Sequence, residues 1–173
     1  MANPKQFPSS KLVIGFLYQE EAFFQKALGE LCKVFGVIDM KSVTCDFNHS
    51  AYYQDELGQC IKRCWVSFKD FIEPSKICDV KHLCGKLERE LSYEQKRKVN
   101  IDPGILSQNN FILTSFKNFA HRVPLQNGVY ADLTLFYKEK KGFMELPWTY
   151  PDYKSSDFLN FLSFARGRYR MAA

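Results

Sequence analysis

Twice in the first hundred residues an apolar, strand-like run gives way to a stretch with helical periodicity. The first run is "KLVIGFLYQ", short, β-branched and aromatic. "EEAFFQKALGELCKVFG" follows, with Phe23, Phe24, Ala27, Leu28, Leu31, Cys32, Val34 and Phe35 at helical spacing and Gly36 as a C-cap. The second run is "CIKRCWVSFKDFI". The helix after it carries Ile77, Val80, Leu83, Cys84, Leu87 and Leu91 on one stripe, with Ser75 as the expected N-cap. "VIDMKSVTCDF" reads as extended, "NHSAYYQDELG" as a loop, and "KRKVNI" as a short strand that stops at Asp102-Pro103-Gly104. The order β-α-β-β-α-β is that of a ferredoxin-like split unit, in which helices cover one face of a mostly antiparallel sheet. The fold class expected is therefore α+β.

Beyond the core, "SQNNFILTSFKNF" is expected to be a helix starting at Ser107, with a strand as the alternative. "HRVPLQNGVYADLTLFYK" has the Asn127-Gly128 pair favoured in tight hairpin turns. Val129, Ala131, Leu133 and Leu135 alternate there with Tyr130, Asp132, Thr134 and Phe136, which places one set in the core. "SSDFLNFLSFARGRYR" is a terminal helix capped by Ser155 or Ser156, so a C-terminal β-hairpin and helix complete the chain. Residues 1–10 read as a flexible leader and 11–173 as a single domain.

Several chemistries are disfavoured. No GxxxxGK[ST] or GxGxxG phosphate loop occurs. Cys60, Cys64, Cys78 and Cys84 lack a CxxC pair, so zinc is not expected. "CWVSFKDF" is aromatic but lacks the glycine and basic start of an RNA-recognition signature. No signal peptide or membrane-length apolar run is visible, so a cytoplasmic setting with reduced thiols is expected and no membrane partner. A net charge of +5 suits a mildly basic protein or one with an anionic ligand.

The candidate site begins at "NIDPG". Proline holds Asp102 extended, and Gly104 permits a tight turn. Lys117, His121 and Arg122 follow, and Tyr130, a candidate ligand contact, shares one face of the hairpin with Asp132. Lys117 and Arg122 would neutralise ligand charge, and His121 would act as an acid or base. Asp102 and Asp132 would orient the ligand or hold a divalent cation. "LPWTYPDY" offers Trp148 and Tyr150 as an aromatic wall and Asp152 as a polar anchor. The bland reading makes Asp102 a turn cap, His121 a satisfied core residue and Arg122 an ordinary ion-pair partner.

"KLVIGFLY", "FGVID", "YYQDELG", "VSF", "NIDPG", "AHRV", "GVYADLTL" and "LPWTYPDY", in this order, resemble an uncharacterised bacterial and archaeal family, domain of unknown function 4416. The resemblance spans about residues 11–170. It implies motif positions at Asn100, Asp102, Gly104, Lys117, His121, Arg122, Tyr130, Asp132, Trp148, Tyr150 and Asp152. The family usually has Glu where this chain has Asp132, which keeps the charge and shortens the reach. Some members carry a GTP-binding label, which this sequence does not support for want of a phosphate loop.

The functional expectation is a small anionic-ligand site, nucleotide-like in chemistry, at Asp102, His121 and Asp132. A protein-interaction or self-association module is the second reading and an RNA-binding domain the third. No reaction is specified.

Overall fold

A computed structural model describes residues 3–172. The strands are β1 (Ser10–Tyr18), β2 (Ile38–Lys41), β3 (Cys45–Asp46), β4 (Lys62–Ile72), β5 (Val99–Leu106), β6 (Asn110–Ser115), β7 (Val123–Pro124), β8 (Tyr130–Lys138) and β9 (Gly142–Glu145). The helices are α1 (Glu21–Phe35), the short α2 (Gln54–Leu57), α3 (Ile77–Glu90) and α4 (Ser156–Ala172). All nine strands join one sheet, ordered β2-β4-β1-β5-β6-β8-β7, with β3 also on β4 and β9 on β8. Every pairing is antiparallel. The chain is thus an α+β protein. Met1 and Ala2 of the leader lie outside the described residues, and the stretch from residue 3 to β1 carries no regular structure.

The unbroken apolar run of β1 follows from its position. It lies mid-sheet and is covered on both sides, the setting in which strands lose polar alternation. Leu12, Ile14, Phe16 and Tyr18 pack with Phe24, Ala27, Leu28 and Leu31 of α1 and with Val80, Cys84 and Leu87 of α3. Val13 packs on the opposite face with Trp65, Phe111, Leu135 and Phe158, Leu162 and Ala165 of α4. Helices therefore lie on both faces of the sheet. A smaller cluster of Leu17, Phe47, Leu57 and Ile61 anchors the segment between β3 and β4.

Several expectations change. Residues 107–119 form no helix: Asn110–Ser115 is a strand between β5 and β8. Ser107 turns the chain instead, its hydroxyl accepting from the Asn109 and Asn110 amides. Phe111 and Leu113 then bury on the α4 side, which the apolar run "FILT" permits as well as a helix would. The segment read as a loop contains a 3-10 turn at Ala51–Tyr53 and α2. Ser75 does not cap α3; it sits in a 3-10 turn and donates to Glu73, and Lys76 holds the cap position. Ser155 does cap α4, accepting from the Phe158 amide at 3.3 Å.

The alternation expected along β8 breaks at a bulge. Phe111 faces Leu135 but Ile112 faces Leu133, so Thr134 is skipped. Leu133 becomes 37% exposed, while Asp132 and Thr134 are buried. The bulge is what turns Asp132 inward.

The Asp-Pro-Gly step ends no strand. β5 runs through it to Leu106. Proline inside a sheet needs a place where its missing N–H is not required. The Pro103 carbonyl accepts from Thr114 Oγ1 at 2.9 Å, so it faces β6, and in an extended residue the nitrogen points the same way. The β5–β6 ladder begins only at Gly104–Leu113. Pro103 therefore sits where β5 and β6 part. Gly104 marks the tight side of that fork, where a Cβ would lie 2.7 Å from the Phe111 ring and 2.8 Å from the Ile112 carbonyl.

Candidate functional site

Where β6 leaves β5, the Ile101 N–H and C=O lose their strand partner. Side chains of α3 replace it. Glu88 accepts from the Ile101 amide at 2.6 Å, and Lys81 donates to the Ile101 carbonyl at 3.3 Å. Buried backbone groups seldom go unpaired, so two charged side chains at the heart of a helix stripe have a structural reason to be there. Burial pushes the Glu88 carboxyl above its ordinary value, and the nearby Lys81 only partly counters this.

The fork opens into a cleft of about 610 Å³. Its lining carries the cations Arg63, Lys81, Arg97, Lys117 and Arg122 and the acids Glu88, Asp102, Asp132 and Asp152. Tyr52, Tyr53, Phe116, Tyr150 and Tyr153 add aromatic surface. The volume lies in the range of small-molecule pockets, and the lining is far more charged than is usual for them.

The floor is built on β1 and β4. Arg63 is only 2% exposed and packs between the rings of Trp65 and Tyr153, at 4.9 and 4.7 Å. Its Nη2 meets Asp152 at 2.8 Å and its Nη1 lies 3.9 Å from Asp102. Burial opposes its charge, but Tyr153, Asp152 and Asp102 more than offset this and raise its pKa. Room for this stack comes from Gly15. A Cβ there would lie 2.8 Å from the Tyr153 hydroxyl and 3.2 Å from Arg63 Nη1.

One wall is the segment carrying Tyr52, Tyr53 and α2. Arg97 fastens it through a two-pronged bond to Glu56, at 2.7 and 2.6 Å. That bond holds the Glu56 carboxyl below its ordinary value. Arg97 also donates to Asn100 Oδ1, and Asn100 Nδ2 donates to Asp102 at 2.6 Å.

Of the residues singled out in the sequence, Asp102, Lys117, Arg122, Asp132, Tyr150 and Asp152 line this one cleft. Arg122 donates to Asp132 at 3.0 Å, to Ser115, to the Lys117 carbonyl and to the Tyr150 hydroxyl. Lys117 reaches across to the Tyr52 hydroxyl at 2.6 Å. His121, Tyr130 and Trp148 are not part of the lining. His121 stands behind it, bonded to Asp132 at 3.1 Å and stacked on Trp148 with rings 5.0 Å apart. Trp148 donates to the Leu133 carbonyl. Tyr130 pairs with Ser115 and Pro124 along the sheet.

Asp102 and Asp132 each face their own cations. Among the described residues no group of three or more His, Cys, Asp or Glu side chains is placed to hold a metal ion. All six cysteines are unpaired.

Sequence reasoning missed Arg63, Lys81, Glu88 and Arg97. One signal was available for two of them. Ile77, Lys81, Cys84 and Glu88 share one face of α3, so two charges interrupt an apolar stripe.

A family model described as a domain of unknown function, DUF4416, matches residues 8–169. The chain belongs to that family. Nothing among curated proteins or solved structures matches it. That family is defined without an activity, so the cleft itself is the guide to function. No helix among the described residues is long and apolar enough to cross a membrane.

Proposed function

We propose that the cleft binds a small anionic compound and that Lys117 and Arg122 supply the charge that holds it. The pairing of charges carries this reading. Glu88 faces Arg97, Asp102 faces Lys81 and Arg63, Asp132 faces Arg122, and Asp152 faces Arg63. Among the described residues Lys117 makes no ion pair and its ammonium meets a phenol instead; Glu56 feels its charge but is itself bound in two prongs to Arg97. A cation without an ion-pair partner in a concave site focuses the field and draws anions. Arg122, its charge already met by Asp132, fixes the Lys117 main chain and offers guanidinium N–H groups at the cleft wall.

His121 acts in this reading as a positioning residue. It holds Asp132, which holds Arg122. The cleft rests on a core taken here as ferredoxin-like. The order β2-β4-β1-β5, with α1 and α3 packed on one face, supports that assignment. The strands from β6 onward and α4 are then the C-terminal extension, hairpin and helix, that closes the site.

Thermal shift and calorimetry with inorganic phosphate, pyrophosphate and nucleoside mono- and diphosphates test the proposal. At least one anion should raise the melting temperature and bind saturably, and Lys117→Met should weaken that binding at least tenfold. Equal binding by wild type and Lys117→Met, or no binding by any anion, defeats it.

A further inference from the structure

The inner end of the cleft differs from its rim. Asp102 is the one lining carboxylate with real access, its side chain being 25% exposed against 5% for Asp132, 9% for Asp152 and 10% for Glu88. Its carboxylate is held in place by Asn100, with Lys81 3.5 Å from one oxygen and Arg63 3.9 Å from the other. The charge is thus compensated, while lone pairs on an oriented carboxylate still face the cavity. A ligand cation arriving there would meet Arg63 and Lys81 and be repelled. A neutral O–H would gain a charge-assisted hydrogen bond at no such cost. Tyr53 also lines the cleft, near enough to Asp102 to feel its charge. Burial first, and the Asp102 charge next, keep its phenol protonated and able to donate.

We infer that the ligand is a hydroxylated anion of the sugar-phosphate class, with its phosphate at Lys117 and Arg122 and a hydroxyl donating to Asp102. This rests on the anion-site reading and adds the chemistry of the other end. The two poles explain why one cleft carries a cation without an ion-pair partner and an open, oriented carboxylate.

Calorimetry separates the two ideas, using inorganic phosphate, ribose 5-phosphate, glucose 6-phosphate, adenosine monophosphate and 2-aminoethyl phosphate. At least one hydroxylated phosphate should bind about tenfold or more tighter than inorganic phosphate, the worth of one charge-assisted hydrogen bond. Asp102→Ala should remove that advantage. Asp102→Ala strips the partner from Arg63 and Lys81 and risks misfolding. Tyr53→Phe leaves those pairs intact and should narrow the advantage as well.

If inorganic phosphate binds as well as every hydroxylated phosphate, the inference is overturned and the anion site stands. Preference for 2-aminoethyl phosphate overturns it in favour of a cationic inner group. An advantage that survives both substitutions also overturns it. If no phosphate binds, both ideas fall.

Discussion

Thr114 donates through Oγ1 to the carbonyl of Pro103 at 2.9 Å, a side-chain bond at the point where the β5–β6 ladder ends. Thr114 keeps the last carbonyl before the fork satisfied. Replacing it with valine preserves shape and leaves that buried acceptor unpaired. Thr114→Val should cost about 1–3 kcal/mol. Urea unfolding measures this directly, and a cost below the error of the fit would show that the bond does not define the fork.

Gly15 is tied to the cleft floor through Arg63. Gly15→Ala drives a methyl into the Tyr153 hydroxyl, Trp65 and Arg63 together. The cost expected of overpacking is about 1–3 kcal/mol. Ligand binding should fall with it, since the cleft floor moves. Gly29→Ala is the control, because nothing lies within 4 Å of a Cβ added there. It should be neutral or slightly stabilising.

Glu88 gives a pH signature with a definite sign. Its folded pKa is raised above the ordinary 4.5, chiefly by burial. Below 4.5 the folded and unfolded chains both hold the proton. As pH climbs from 4.5 to the folded pKa, the unfolded chain releases it first, and Glu88 subtracts stability. Glu88→Gln keeps an oxygen for the Ile101 amide and has no such proton. Melting curves of the two proteins should be closest near pH 4 and diverge in favour of Glu88→Gln as pH rises. Glu56, whose pKa is lowered, contributes in the opposite sense, with stability lost as pH falls. Parallel pH profiles for wild type and Glu88→Gln would contradict the assignment.

Asp132 holds Arg122 and His121 from a nearly buried position. Removing one partner of a buried ion pair leaves the other charge uncompensated, at about 3–5 kcal/mol. Asp132→Ala should be destabilised by that order in denaturant titrations. His121→Phe keeps the stack on Trp148 and loses only the bond to Asp132. It should weaken anion binding modestly and leave any dependence on Asp102 unchanged, as befits a residue outside the cleft lining.

The outline of this protein was readable because its strongest elements are local. β1, α1, β4 and α3 announce themselves by apolar period. The Asn127-Gly128 turn does so by backbone chemistry, both residues having positive φ. Six of the nine site residues chosen from the sequence meet in one cleft because they sit on neighbouring strands and the strap after β9. What could not be read depends on remote partners. β6 needs β5 and β8 on either side before "NFILTS" becomes a strand rather than a helix. The bulge at Thr134 reverses the faces of Asp132 and Leu133, and no alternation rule anticipates it. Arg63 sits in an apolar strand as a buried cation, which Asp102, Asp152, Tyr153 and Gly15, distant in sequence, help make tolerable. Pro103 suggested a strand end, but here it marks where one neighbour departs.

The central claim is that an anion sits beside Lys117 and Arg122. Titration of uniformly nitrogen-15-labelled protein with pyrophosphate, followed by amide chemical shifts, tests it most directly. The account predicts saturable shifts confined to the amides of Ser115, Phe116, Lys117, Arg122 and Tyr150, and their loss in Lys117→Met. Shifts restricted to the basic end of α4 at Arg166, Arg168 and Arg170, or none at all, would contradict it.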